Sequence, residues 1–290
     1  MTSDSQSESG GVVSSTALLD PPRVVCRFSC GAASAVATKL AIAKYGTVEI
    51  YYNNPGSEHA DNVRFIQDCE KWFGQKVNIL KSEKYSNVDE VFEARRFLVS
   101  NRGAPCTSEM KRIPGDSVWT FGCVEIYGYT VEEKHRVAKW RENNFERTIE
   151  CPLVDKELTK SDCFGMLARA GIELPAMYRL GFRNNNCIGC VKARDNLDYW
   201  KRVRLHFPEV FARRAKQERD FKVAINRRTR NGVRSEIYLD EIEPGEPKGA
   251  DPQISCGLFC MAESDALDGG SNAKITDAAP AASSATGVTD

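Results

Sequence analysis

Arg23-Val24-Val25-Cys26-Arg27-Phe28-Ser29-Cys30-Gly31-Ala32-Ala33-Ser34 is the stretch that decides the fold. Residues 23–28 are apolar and β-branched enough to read as a strand. Residues 34–45 are Ala-rich and read as a helix, which Gly46 ends as a C-cap. Between them lies a loop of small residues. A helix start has unpaired N–H groups and a partial positive charge, so this loop is a candidate phosphate cradle. Ser29 and Ser34 add hydroxyl donors. No Gly-Lys-Ser/Thr occurs, and neither does Gly-x-Gly-x-x-Gly, so the loop is of neither common nucleotide-binding type. The alternative reading is an ordinary strand–turn–helix with a small-residue packing contact.

Outward from this unit the pattern repeats. Residues 47–52 predict a second strand, broken by Asn53-Asn54-Pro55-Gly56. Residues 60–73 predict an amphipathic helix with Val63, Ile66, Cys69 and Phe73 on one stripe, closed by Gly74. A third strand follows at 76–80, a helix at 88–99, and an irregular loop at 103–115 carrying Cys106, Lys111 and Arg112. Residues 123–129 predict a fourth strand, 131–143 a charged helix and 147–154 an extended piece. Thr159 caps a helix running through residue 170. Strands alternating with helices imply an α/β fold, a doubly wound and mostly parallel sheet with helices on both faces. In such sheets ligands bind at the carboxyl ends of the strands, where strand order switches. The 29–34 loop, Asn53-Asn54 and the loop after Leu80 would meet there. The expected organisation is an α/β nucleotide-binding domain over 21–180 and a cysteine-bearing, basic helical extension over 181–261. Residues 1–20 and 262–290 are poor in large apolar groups and read as disordered tails.

The 290 residues carry 40 Lys and Arg against 40 Asp and Glu, so net charge gives no argument for nucleic acid. No apolar stretch reaches the ~20 residues of a membrane span, and no signal-peptide pattern opens the chain. A cytoplasmic protein is expected. Eleven cysteines without a secretion signal favour thiol, metal or redox chemistry over a disulfide framework. Cys26, Cys69 and Cys123 fall in apolar patterns and read as buried small hydrophobes. Cys187-Ile188-Gly189-Cys190 places two thiolates within reach of one metal. Cys106, Cys256 and Cys260 are candidates for the remaining ligands of a zinc or a [4Fe-4S] site. The bland readings are buried thiols for the first pair and an idle tail for Cys256 and Cys260. A basic run over 201–234 includes Arg202, Arg204, Arg213, Arg214, Arg219, Arg227 and Arg234. It is either a groove for nucleic acid or a solvated face balanced by the acidic residues 236–246. His59, His135 and His206 stand alone and read as surface or capping groups.

The loop Phe28-Ser29-Cys30-Gly31-Ala32-Ala33-Ser34 resembles the Ser-Gly-Gly-x-x-Ser PP-loop of the adenine nucleotide alpha-hydrolase-like superfamily, with Cys30 in place of the first Gly. Asn53 to His59 resembles the polar turn ending in an acidic residue, here Glu58, that the phosphoadenosine phosphosulfate (PAPS) reductase-like members carry near the nucleotide. Cys106-Thr107-Ser108-Glu109-Met110-Lys111 resembles their Cys-Thr-x-x-x-Lys segment. Gly128 to Glu133 resembles the strand end and acidic turn that follow. Asn186-Cys187-Ile188-Gly189-Cys190 resembles their Asn-Cys-x-Gly-Cys element. The resemblance covers roughly residues 23–211 in the family's order, and is greatest to members common in phages, which would place the protein in host cytoplasm.

This resemblance implies a PAPS reductase-like enzyme that binds an adenine nucleotide, PAPS or ATP, through Phe28 to Ser34 together with Asn53, Asn54 and Glu58. Lys111 and Arg112 would neutralise charge on the sulfate or leaving group. Cys106, Cys187, Cys190 and Cys260 would hold a cluster or zinc. Ser255-Cys256-Gly257-Leu258-Phe259 is similar to the family's catalytic tail but lacks its Glu and His. Cys256 is therefore open to two roles, nucleophile or ligand. A thioredoxin-like reductant is the implied partner. The alternatives are a nucleotide-activating sulfur-transfer enzyme acting on nucleic acid, and a zinc-stabilised nucleotide-binding module without catalysis.

Overall fold

A computed structural model describes residues 21–249. The expected tails, Cys256 and Cys260 lie outside the described residues. Five strands, β1 (Val24–Arg27), β2 (Glu49–Asn53), β3 (Val77–Leu80), β4 (Val124–Tyr127) and β5 (Thr148–Glu150), form one sheet in the order β3-β2-β1-β4-β5. Every neighbouring pair is parallel. The chain steps from β1 outward to β3, then returns past β1 to β4 and β5. Right-handed crossovers therefore put the β1–β2 and β2–β3 connections on one face and the β3–β4 and β4–β5 connections on the other. The reversal in strand order falls between β1 and β4, so the loop after β1 opens at the switch point.

Register fixes which side chains share a face. Cys26 is aligned with Ile50 and with Ile126. These residues, with Val24, Phe28 and Tyr52, pack against α1 (Ala32–Tyr45), α2 (Asn62–Phe73) and α8 (Lys160–Arg169) in one core. The other face is charged. Glu125 is fully buried and accepts from Arg27 Nε at 2.7 Å and Arg147 Nη1 at 3.2 Å. A buried carboxylate needs such partners to stay folded in. Gly128, one residue past β4, lies against the first turn of α1. A Cβ there would stand 2.5 Å from Ser34 Cα.

Most expected elements are present with shifted ends. The helix expected over 88–99 stops as α3 (Val88–Arg95), because Arg96 turns left-handed at φ 48°. The charged helix begins as a 3₁₀ turn, Val131–Glu133, before α6 (Lys134–Glu142). The piece expected to be extended over 147–154 is a strand only at β5, since Pro152 starts the helical turn α7 (Pro152–Asp155). Thr159 caps α8 as expected, accepting from the Asp162 N–H at 3.1 Å. Cys26, Cys69 and Cys123 are buried.

Two expectations are corrected. The segment 103–115 is irregular only at its start, where Gly103 bridges Ser100. From Pro105 on it is helical as α4 (Pro105–Thr107), a π-helix (Ser108–Arg112) and α5 (Ile113–Asp116). Pro105 is preorganised for a first helical turn. Pro114 has no N–H for the carbonyl four residues back, and the ladder before it widens, with Ile113 N–H reaching Ser108 O. The basic segment is not one helical run. It breaks into α10 (Leu197–His206), α11 (Pro208–Phe221) and a hairpin of β6 (Asn226–Arg230) and β7 (Val233–Ile237). Pro208 forces Phe207 out of the helix, to φ −140° and ψ 61°. Asn231 and Gly232 both take positive φ, the pair of angles a two-residue hairpin turn needs.

A second core joins Val88, Phe92, Leu98 and Met110 to Trp200, Val203, Phe211, Ile237 and Leu239. The boundary expected at residue 180 thus runs through shared packing. Among the described residues no helix is long and apolar enough to cross a membrane.

Gly128→Ala should cost about 1–3 kcal/mol through overpacking, seen as a lower urea midpoint. An unchanged midpoint would mean that β4 and α1 have room to separate. A second expectation concerns Glu218, which is buried on α11 and accepts the N–H groups of Ile225 and Leu239, both at 2.6 Å. Burial pushes its carboxyl up to about 7. The folded state then binds a proton that the unfolded state releases above the ordinary carboxylate range. Stability is fully present at pH below about 4.5 and falls as pH rises toward 7, by about 2–3 kcal/mol. Denaturant unfolding across pH 4.5–7.5 should show a shallower decline in Glu218→Gln, and equal slopes would refute the assignment.

Candidate functional site

The loop after β1 is tightly organised. Ser34 Oγ accepts the N–H groups of Ser29 at 3.1 Å and Gly31 at 3.3 Å, accepts the Ser29 hydroxyl at 3.1 Å, and donates to Gly31 O at 2.9 Å. Ser34 therefore shapes the cradle from within. Cys30 adopts φ 57°, a left-handed conformation costing a non-glycine residue roughly 1–2 kcal/mol. Its thiol is turned into the core and donates to Asn62 O at 3.7 Å. The Cys therefore takes the backbone shape a glycine would give, and its side chain leaves the open side of the loop clear. The first N–H groups of α1 have no acceptor within the helix. That of Ala32 is given to the hydroxyl of Tyr178, on the short helix α9 (Ala176–Arg179). A Cβ on Gly31 would stand 3.2 Å from the same hydroxyl.

The loop after β2 supplies the next group. Asn54 Oδ1 accepts the Gly56 N–H at 2.9 Å, an Asx turn. Gly56 has φ +66°, and a Cβ there would strike Ser86 O at 1.9 Å. This turn delivers Glu58 inward, with 3% of its side chain exposed. Its carboxylate accepts from Tyr52 Oη at 2.7 Å, Asn62 Nδ2 at 2.8 Å and Lys111 Nζ at 3.0 Å. Burial weighs against the Lys111 ammonium. The Glu58 carboxylate outweighs it and raises the lysine above its ordinary pKa. Arg112, the next residue of the π-helix, is exposed and bonds Ser108, so it is not gathered with Lys111. Asn53 lies beside α5, its Nδ2 3.3 Å from a Cβ built on Gly115.

The Cys-x-x-Cys turn docks onto this arrangement. Ile188 N–H donates to Ser57 O at 2.9 Å. Asn185 Nδ2 donates to Cys30 O at 2.5 Å and to Asn62 Oδ1 at 2.8 Å, which ties the turn to the β1 loop. Tyr199 Oη accepts the Cys190 N–H at 2.7 Å, and Arg214 Nε donates to Gly189 O at 3.3 Å. Cys187 and Cys190 come within electrostatic range of Cys106 and Lys111. Burial pushes the Cys187 thiol up to about 12 and the Cys106 thiol up to about 11, and Lys111 opposes both shifts. Both are protonated at neutral pH in this arrangement. Among the described residues no group of three or more His, Cys, Asp or Glu side chains could hold a metal ion. The described thiols do not make a ligand set by themselves, and the fourth expected ligand, Cys260, lies outside the described residues.

The basic run is largely spent inside the protein. Arg213 and Arg214 pair with Asp89 at 2.9 and 2.5 Å, and Arg219 pairs with Asp240 at 2.7 Å and Glu241 at 2.8 Å. Arg227 and Arg234 share Asp195 at 3.0 Å each. Arg204 donates to the backbone of Leu239 and Ile242. Trp200 and Phe211 are core residues. His59 Nδ1 accepts the Asp61 N–H at 3.1 Å, a turn role as expected.

Sequence reasoning missed Tyr178, Asn62 and the part Asn185 plays. Asn184-Asn185-Asn186 signalled a tight turn before the cysteines but not its docking partner. Nothing in the sequence around Tyr178 marks it.

Glu58→Ala would strand three donors at once. It should cost about 2–3 kcal/mol and lower the urea midpoint, with Glu58→Gln losing less. A loss below about 0.5 kcal/mol would show that the carboxylate is not the organising group. No family model matches the chain, and no curated protein matches it.

Proposed function

We propose that the protein is a PAPS reductase-like enzyme of the PP-loop kind. It binds an adenine nucleotide at the carboxyl edge of the sheet and acts on the phosphosulfate group with thiol chemistry. One observation carries this reading. The β1 loop, Glu58, Lys111 and the thiols of Cys106, Cys187 and Cys190, spread over some 160 residues of sequence, converge at the strand-order switch. The strand order β3-β2-β1-β4-β5 supports the same reading.

In this mechanism the nucleotide phosphate lies against the positive end of α1 at the Ala33 N–H, and takes the place of Ser34 Oγ at Gly31 N–H and of the Tyr178 hydroxyl at Ala32 N–H. Lys111, fixed by Glu58, faces the charge that develops on the leaving group. Arg112, exposed on the same π-helix, approaches only if its side chain swings inward. The Cys256 thiolate attacks the sulfur of PAPS. An S–S bond forms, the S–O bond breaks, and the electron pair leaves with adenosine 3′,5′-bisphosphate. A dithiol of the thioredoxin class then takes the enzyme's sulfur back to a thiol. It becomes a disulfide itself, and sulfite departs. No step passes through a metal. Iron, sulfide and zinc measured after oxygen-free purification decide whether Cys260 completes a site with Cys106, Cys187 and Cys190. The internal pairing of the basic run lends no support to a nucleic-acid substrate.

PAPS binding followed by calorimetry, and sulfite release with thioredoxin, test the reading together. Ala33→Asp puts a carboxylate in the cradle and should weaken PAPS about a hundredfold. Cys256→Ser should bind PAPS normally and release no sulfite. Wild-type protein that binds PAPS without turnover would refute the reductase assignment and leave a nucleotide-binding module. Failure to bind any adenine nucleotide would refute the reading entirely.

A further inference from the structure

Two cations, Lys160 and Arg183, meet near Tyr178, whose hydroxyl stands at the β1 loop. Lys160 opens α8, and its Nζ lies 5.3 Å over the ring of Tyr178. The hydroxyl of that ring reaches Gly31 and Ala32 at the start of α1. Lys160 Nζ donates to Arg183 O and to Asn184 Oδ1, two neutral acceptors. No carboxylate pairs with it among the described residues. Nearby Glu132 accepts the Lys160 backbone N–H, and Glu133 pairs with Arg136. Burial, with Arg183 adding to it, lowers the lysine below its ordinary pKa, while Glu133 and Glu132 oppose the change. Arg183 is exposed and makes no ion pair among the described residues. It sits two residues before Asn185, which is bonded to Cys30 O in the phosphate loop.

Most other arginines and lysines of this region have a carboxylate. Lys160 bonds only neutral acceptors, and neither it nor Arg183 makes an ion pair among the described residues, although Glu132 and Glu133 lie within electrostatic range of the lysine. Such an arrangement costs stability in the empty protein and is relieved by a bound anion. The position also suits one. Through Tyr178, Lys160 adjoins the start of α1, where the first phosphate would lie, and the exposed Arg183 follows on the same side of that lysine's hydrogen bond.

We infer that Lys160 and Arg183 form a second anion subsite, which takes the tetrahedral group one anhydride bond away from the phosphate held by α1. This deepens the proposed function and rests on it for the location of the first phosphate. The chemistry is shared by a phosphate–phosphate and a phosphate–sulfate anhydride, so ATP, ADP and PAPS are all candidates.

Calorimetric titration with AMP, ADP, ATP and PAPS tests the inference in wild type, Lys160→Met and Arg183→Gln. Both variants should weaken ligands with an anhydride by about tenfold and change AMP by less than about twofold. ADP and ATP affected without PAPS would assign the subsite to phosphate, and the converse to sulfate. Arg183→Gln removes no internal bond of the side chain and guards against misfolding of Lys160→Met, which thermal unfolding monitors. Wild-type binding with unchanged variants would overturn the subsite alone. Equal loss of AMP and ADP would overturn it too, since the residues would then serve the first phosphate or the fold. Absence of any nucleotide binding by wild type would overturn the functional reading and the subsite with it.

Discussion

The arrangement of this protein turns on one buried carboxylate. Glu58 is almost wholly removed from water, and a carboxylate in that position must find donors or give up its charge. Its donors come from three parts of the chain: Tyr52 on β2, Asn62 on α2 and Lys111 on the π-helix. Asn62 in turn accepts from Asn185, whose amide also holds Cys30 O. A single charge thus fixes the β2 loop, the π-helix, the asparagine-rich approach to the cysteines and the β1 loop relative to one another. Removing any one donor leaves the others in place but loosens a different segment.

Backbone shape does similar work at the mouth of β1. Cys30 holds a left-handed conformation that a glycine would adopt at no cost. The strain is tolerated because the thiol is buried and bonded to Asn62 O, and because Ser34 and Asn185 fasten the loop on either side. Gly128 allows β4 to come close to the first turn of α1. Strained backbone of this kind gathers where ligands are held.

Charge is distributed unevenly around this centre. In the α10–α11 region and the hairpin, most arginines are matched to Asp89, Asp195, Asp240 or Glu241. These pairs join helices and loops of the second core, which accounts for a basic sequence without a broad basic face. Near Tyr178, Lys160 and Arg183 are not matched in this way among the described residues.

The sequence by itself determined the alternation of strands and helices, the parallel sheet, and the small-residue loop after β1. Those features follow from local periodicity and from the small residues between Phe28 and Ala35. The cysteine turn was legible too, because Gly189 and the preceding asparagines mark a tight bend. Only the tertiary structure decided that residues 105–116 are helical. Pro105 and Pro114 read as loop residues until a neighbouring core holds the helix around them. The separation of Lys111 from Arg112 was decided there as well, since successive residues on a helix point in different directions. Tyr178 had no local signal at all. Its position at the start of α1 depends on hydrogen bonds between residues nearly 150 positions apart, and such pairings leave no trace in the spacing of a single sequence.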